Sequence, residues 1–231
     1  MIRSLDFETR LRTPFGAIVC GPTMSGKSEF IFRLIKEKDS MIDNPPTRIV
    51  YCYGQHQPKF DELERECLVE FYHGLEQVLD FENFFNPKVS TLLIIDDLSQ
   101  SVANDRRCSK LFTQGIHHKN VSVILILQNL YTQGKFMRDI QLNTQYFILY
   151  KNCRDTQQIE TMARQSGLKE LPLAYRQVTD APYTPLLIDM KPDTPDYLRL
   201  RKGISLNDNI SFFVGQGKST VKKPCPTASK G

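Results

Sequence analysis

The chain gathers its apolar residues into short unbroken runs separated by amphipathic stretches. Phe15 to Cys20 (FGAIVC) is one such run, and it reads as a buried strand. In Glu29 to Lys38 (EFIFRLIKEK), Phe30, Leu34 and Ile35 recur at helical spacing with charges on the opposite face, which predicts a helix. The alternation continues with a strand over Thr47 to Gly54, a helix over Phe60 to Glu66, a short strand over Val69 to Gly74 and a helix over Leu75 to Phe85. Leu92 to Ile95 is a run of consecutive aliphatics, too short for a membrane span and suited to a strand covered on both faces. A helix is then expected over Ser101 to His118, strands over Val121 to Asn129 and Tyr146 to Asn152, and a helix over Asp155 to Gly167 with an acidic start and a glycine stop. Pro185 to Met190 (PLLIDM) closes the pattern. Strands without polar alternation, each followed by a helix, imply an α/β fold: a three-layer sandwich whose largely parallel central sheet has helices on both faces and ligands at the carboxyl ends of its strands. No internal repeat is visible and no domain boundary precedes about Pro192, so residues 1–208 read as one domain followed by a tail over 209–231.

Two motifs give this pattern a chemistry. Directly behind the first strand stands GPTMSGKS, Gly21 to Ser28, with the spacing G-x-x-x-x-G-K-[ST]. In such a loop the backbone running through Pro22, Thr23, Met24 and Ser25 wraps the phosphates of a nucleotide, while Gly21 and Gly26 allow close approach and positive φ. Lys27 then reaches the outer phosphate oxygens, Ser28 offers a hydroxyl to Mg²⁺, and the following helix points its N-terminus at the anion. The second motif is STLLIIDDLS, Ser90 to Ser99, which places Asp96 where a buried strand emerges. An acid there can hold Mg²⁺, and Asp97 beside it can orient or deprotonate an attacking water. Alone, each motif also fits a plainer role: a glycine turn, or an acid capping the next helix. Together they specify a P-loop NTPase with ATP and Mg²⁺ as ligands.

Strand order narrows the class. A whole strand-helix excursion fits between the loop and Asp96, and the next strand, VSVILILQN, ends on Gln128 and Asn129. In P-loop ATPases with a strand inserted between the two motifs, a polar residue at that strand's end senses the γ-phosphate and positions water, which makes Gln128 the candidate; a hydrogen bond to a loop is the plainer reading. A guanine-nucleotide switch is disfavoured, since no D-x-x-G spacing follows the acid and no N-K-x-D occurs.

Composition modifies this picture in one place. At 231 residues, with 40% hydrophobic and 24% charged residues, the chain has ordinary globular usage and a net charge of +4. That charge is localised: from Asn209 onward there are four lysines (Lys218, Lys222, Lys223, Lys230) and no acid, leaving 26 residues of each sign before it. The globular part is therefore not a uniformly basic nucleic-acid binder, and the Gly-, Pro-, Ser- and Lys-rich tail reads as a disordered segment able to contact phosphate backbones or to act as a nuclear address. The six cysteines form no C-x-x-C pair and read as reduced, packed thiols of an intracellular protein. The four histidines lack metal-ligand spacing, and the N-terminal MIRSLDFETRLRTPFG has no apolar signal-peptide core.

The run from CGPTMSGKSEFIF through LLIIDDL and FTQGIHHKNVSVILILQNLYTQGKFMRDIQLNTQYFILYKNCRDTQQIETMARQ to LLIDMKPDTPDYLRLR resembles the genome-packaging ATPases of Polinton (Maverick) elements and adinto-like viruses, within the FtsK–HerA group of DNA-pumping motors. The resemblance covers roughly Phe15 to Arg201. It implies a homo-oligomeric ring that threads double-stranded DNA into a preformed capsid, with capsid or portal proteins as partners and no membrane, working in the host nucleus or at a site of virion assembly. Carried onto this chain, the phosphate loop is Gly21 to Ser28, the metal acid Asp96, the catalytic acid Asp97 and the sensor Gln128. Many members of the wider group carry Glu after the metal acid, so the shorter Asp97 departs from the pattern. A motor of this type also implies an arginine supplied by a neighbouring subunit; Arg138 is the first candidate, then Arg154, with Arg106 and Arg107 behind. DNA would be gripped through its phosphates without base reading, by Lys119, Lys135 and the tail. Two other readings stay open: a small-molecule kinase, and a nucleotide-dependent assembly factor without turnover.

Overall fold

The aliphatic runs form the middle of one nine-stranded sheet in the computed structural model, which describes residues 8–66 and 68–214. In chain order the elements are β1 (Gly16–Cys20), α1 (Lys27–Lys36), α2 (Lys38–Met41), β2 (Arg48–Tyr53), α3 (Pro58–Arg65), β3 (Glu70–His73), α4 (Phe81–Phe84) and β4 (Thr91–Asp96). There follow α5 (Ser99–Asn104), α6 (Arg106–Lys110), a π-helical turn (Leu111–Gly115), α7 (Ile116–His118), β5 (Val121–Leu127), α8 (Met137–Leu142) and β6 (Tyr146–Leu149). The chain continues through α9 (Gln157–Ser166), α10 (Leu171–Thr179), β7 (Leu186–Asp189), a 3₁₀ turn (Asp196–Leu198), β8 (Leu200–Lys202) and β9 (Ser211–Phe212).

The strands lie in the order β3-β2-β4-β5-β1-β6-β7-β8-β9, parallel from β3 to β6 and antiparallel from β6 onward. Alternate residues of each central strand enter two separate cores. Ile18 and Cys20 of β1 face one with α8, α9 and α10, while Ala17 and Val19 face the other with α1. Burial on both faces is why β1, β4 and β5 are apolar throughout, apart from Thr91, Ser122 and the terminal Asp96. The expected three-layer α/β arrangement is therefore the one observed.

Several boundaries differ from expectation for local reasons. Leu75 to Phe85 is not one helix: Val78 and Leu79 both donate to the Leu75 carbonyl, the backbone departs from helix at Asp80 (φ −82, ψ 55), and only Phe81–Phe84 is helical. Ser101 to His118 is interrupted at Asp105, which is extended (φ −101, ψ 121) and caps α6 by accepting from the Arg107 N–H at 2.7 Å. The sheet also runs past residue 208, because β9 pairs with β8 through Arg201↔Phe212 and Lys202↔Ser211. The remaining tail lysines, Lys218 to Lys230, lie outside the described residues, as do Cys67 and Cys225. Burial pushes the thiols of Cys20, Cys52 and Cys108 up to about 12, as packed unreactive cysteines should be, and Cys153 is exposed. At the sheet end remote from the phosphate loop, Arg201 and Asp189 form a fully buried pair at 3.3 Å, and Arg201 also donates to the Thr9 carbonyl, tying the N-terminal segment down. Among the described residues no helix is long and apolar enough to cross a membrane.

Candidate active site

The loop between β1 and α1 is built for close backbone approach, though its two glycines act differently. Gly26 takes the left-handed conformation (φ 104) expected of it, and precedes a helix whose first N–H groups have no side-chain cap. Gly21 does not: its need is steric, since a Cβ there would fall 2.6 Å from the Tyr150 Cβ and 2.8 Å from the Ser25 hydroxyl. The second left-handed residue is Met24 (φ 65), at the apex and 89% exposed. Gly21 N–H donates to the Leu127 carbonyl at 3.2 Å, tying the loop to the end of β5 beside Gln128.

The Lys27 ammonium lies half-buried in the ring of the loop, donating to the carbonyls of Gly21 (2.7 Å) and Pro22 (2.8 Å). Burial holds its pKa below the ordinary lysine range, against the opposing pull of the Asp96 charge. Asp96 ends β4, buried, and Oδ2 accepts the Tyr51 hydroxyl at 2.8 Å. Burial raises the Asp96 pKa, with the Asp97 charge adding to the rise, while the Tyr51 hydrogen bond and Lys27 lower it. No motif marks Tyr51, because a tyrosine inside an apolar strand looks like core; its place on β2, two residues before Tyr53, the partner of Asp96, is the signal.

Asp97 is exposed and left-handed (φ 56), so the chain turns sharply between the two acids. Its carbonyl packs where a Gly54 Cβ would come within 2.5 Å, and Gly54 N–H donates to the Asp96 carbonyl at 3.0 Å. The glycine after β2 therefore fixes the acid turn. Gln128 is exposed at the end of β5. The sheet thus sets the ends of β4, β5 and β1 side by side and gathers Asp96, Asp97, Gln128 and the phosphate loop along one edge.

The arginines do not join this edge equally. Arg138 stands exposed in the first turn of α8, on the sheet face opposite α1, and lines a groove with Leu130 to Gly134. Arg107 is engaged by Asp105 (2.7 Å) and Glu76 (3.5 Å), whereas Arg106 and Arg154 are exposed and make no ion pair among the described residues.

No protein-family model and no curated protein matches the sequence. Among solved structures the chain is similar to the genome packaging NTPase B204 of Sulfolobus turreted icosahedral virus 2. The form in complex with ATP-γ-S aligns at 15% identity over 78% of this chain and 95% of that one, with a TM-score of 0.51. The form in complex with AMP aligns at 15% identity over 89% and 98%, with a TM-score of 0.55. The cytoplasmic domain of the type VII secretion ATPase EccC from Thermomonospora curvata aligns at 14% identity over 82% of this chain and 25% of that one, with a TM-score of 0.55. The fold is that of the P-loop NTPases.

The residues present suit a Mg²⁺-bound nucleotide. The buried Ser25 hydroxyl has no hydrogen-bond partner, the loop is too tight at Gly21 for any side chain, and Ser28 and Asp96 are the hard oxygen donors Mg²⁺ prefers. Tyr51 would then position Asp96 through its hydroxyl. Replacing Tyr51 by Phe removes that bond without emptying the core, so the Mg²⁺ concentration for half-maximal ATP turnover should rise about tenfold at an unchanged fold, the usual scale for a lost ligand-orienting contact. A Mg²⁺ titration of the variant against the parent measures it; superposable curves would reduce Tyr51 to packing.

Proposed function

We propose that the chain is an ATP-hydrolysing motor that translocates double-stranded DNA into a viral or virus-like capsid, acting as a homo-oligomeric ring in contact with capsid or portal proteins. The observation that carries this reading is the position of β5 between β1 and β4, which sets Gln128 between the phosphate loop and the acids. The resemblance of the sequence to packaging ATPases and the B204-like fold support the same reading.

In this mechanism Lys27 neutralises the outer phosphate oxygens, Ser28 and Asp96 hold the metal, and Gln128 orients water. Bound Mg²⁺ supplies Lewis-acid charge neutralisation to the phosphates. Asp97 accepts the proton of the water that attacks the γ-phosphorus as the bond to the ADP oxygen breaks. Its exposed, left-handed turn leaves the carboxylate free of the Tyr51 contact that fixes Asp96, which suits a group that must meet water.

Grip on DNA needs unpaired cations on one surface. Lys119, expected there, is instead spent on Glu82, contacting its carbonyl at 2.9 Å and its carboxylate at 2.8 Å. Lys135 remains available, lying over the Phe136 ring at 5.4 Å. Arg106 and Lys110 of α6 are likewise exposed and without ion-pair partners among the described residues. These cations would bind phosphates irrespective of sequence.

Long duplex DNA should therefore stimulate steady-state ATP turnover, and the stimulation should fade as salt rises, because phosphate contacts release counterions. Turnover indifferent to DNA, with phosphate appearing on a small molecule, would replace this reading by a kinase; ATP binding without turnover would replace it by an assembly factor.

A further inference from the structure

A cavity of about 1020 Å³ opens beside the phosphate loop, on the side away from the acids. Asp96 and Gln128 lie toward β4 and β5, whereas the cavity lies toward β6, β7 and β8. A triphosphate lying in the loop with its outer end toward Asp96 therefore directs its other end into this space, which is at the upper end of small-molecule sites.

The far wall is rigidly built. Gly203 is left-handed (φ 87), and the turn behind it closes on Asp208, whose Oδ2 accepts the N–H groups of Ile204 (2.8 Å) and Ser205 (2.9 Å). Asp208 Oδ1 accepts from Arg33 of α1 at 2.7 Å, and Leu206 N–H donates to the Ser40 carbonyl at 2.9 Å, so the turn is pinned to the helices that follow the loop. The near wall is Tyr150, whose N–H donates to the Cys20 carbonyl at 2.8 Å and whose ring passes behind Gly26.

Between these walls, at the rim, stands Tyr183. Its backbone is left-handed (φ 57), a conformation a bulky L-residue adopts at a cost, yet its side chain is 73% exposed and recovers little of that cost by burial. Its ring carbon would meet a Gly26 Cβ at 3.4 Å, so the ring flanks the start of α1 where a bound phosphate chain ends. Strain, exposure and a flat face beside a phosphate site together describe a stacking platform.

We propose that this cavity is the nucleoside pocket of the site, and that Tyr183 stacks on the aromatic base of the bound nucleoside triphosphate. The inference rests on the reading of Gly21 to Ser28 as a nucleoside-triphosphate loop. It adds the base-side residues that no motif marks.

Calorimetric titrations with Mg²⁺–ATP and with Mg²⁺–tripolyphosphate, which has the phosphates but no base, separate the two. Tyr183→Ala should weaken ATP about tenfold, the scale of one lost base–aromatic stack, and leave tripolyphosphate affinity unchanged; Tyr183→Phe should keep both. Thermal unfolding of either variant should match the parent, since the ring is exposed. Equal ATP affinity in parent and Tyr183→Ala, with tripolyphosphate still bound, overturns the pocket while sparing the phosphate loop. Parallel loss of both ligands also overturns it, by showing that Tyr183 acts on the loop itself. A parent chain that binds neither ligand overturns the nucleotide reading beneath it.

Discussion

Replacing Lys27 by Ala should lower ATP turnover by about a thousandfold, the scale of removing a charge that meets the transition state in a water-poor site. The ammonium lies half-buried among the carbonyls of Gly21 and Pro22, 2.7 and 2.8 Å away, with the Asp96 charge acting on it. It thus occupies the centre of the loop and can exchange carbonyls for phosphate oxygens with little movement. The same geometry says what the substitution does not break. Lys27 belongs to neither core cluster, and what it leaves without a donor is the carbonyls of the buried Gly21 and the half-buried Pro22. Stability should fall by about 1–3 kcal/mol, the scale of a buried acceptor left without its donor, which leaves the core packing in place. Turnover and thermal unfolding measured on the same preparation check both halves, and near-normal turnover in a folded variant would remove the phosphate-loop assignment.

Why Lys27 could be located from sequence and Tyr183 could not follows from how each is specified. The loop is local: eight consecutive residues behind a buried strand carry the whole constraint, and the apolar runs of β1, β4 and β5 carry the sheet that holds it. The role of Gly21 was legible as a need for glycine, though not its full cause, because the tightest clash is with Tyr150, more than a hundred residues on. Tyr51 and Asp96 meet only through the register of β2 on β4, which no local pattern records. The same holds for the nucleoside cavity, whose walls come from α1, the end of β6 and the segments around β7 and β8. Helical spacing misled where tertiary packing could satisfy it otherwise: Leu75, Val78, Leu79 and Phe81 keep the period and the burial of a helix, yet reach the core through a turn broken at Asp80. The helix α10 begins with Pro172 in its first turn, a start signal that the surrounding short polar segments obscured.

The arginine that would make this chain a ring machine is the sharpest test of its assembly. Arg138 points from the first turn of α8 into a groove lined by Leu130 to Gly134, on the opposite side of the sheet from α1 and apart from the cavity beside the phosphate loop. No carboxylate pairs with it among the described residues, so its charge is not committed within the subunit. An arginine left uncommitted within its own subunit can serve a neighbour's nucleotide, which is the arrangement a ring supplies. We therefore expect Arg138→Ala to lower turnover by about a thousandfold in assembled rings, with ATP affinity nearly unchanged, because such a residue acts on transition-state charge. Arg154, the next candidate for the same role, follows β6 at the phosphate-loop edge. Combining inactive Arg138→Ala subunits with inactive Lys27→Ala subunits restores, for an arginine acting between subunits, those interfaces that join an intact loop to an intact arginine. Hydrolysis should reappear in such mixtures and be absent from either variant alone. Rings verified as mixed that stay inactive would count against Arg138 acting between subunits, and full activity of Arg138→Ala by itself would end the assignment.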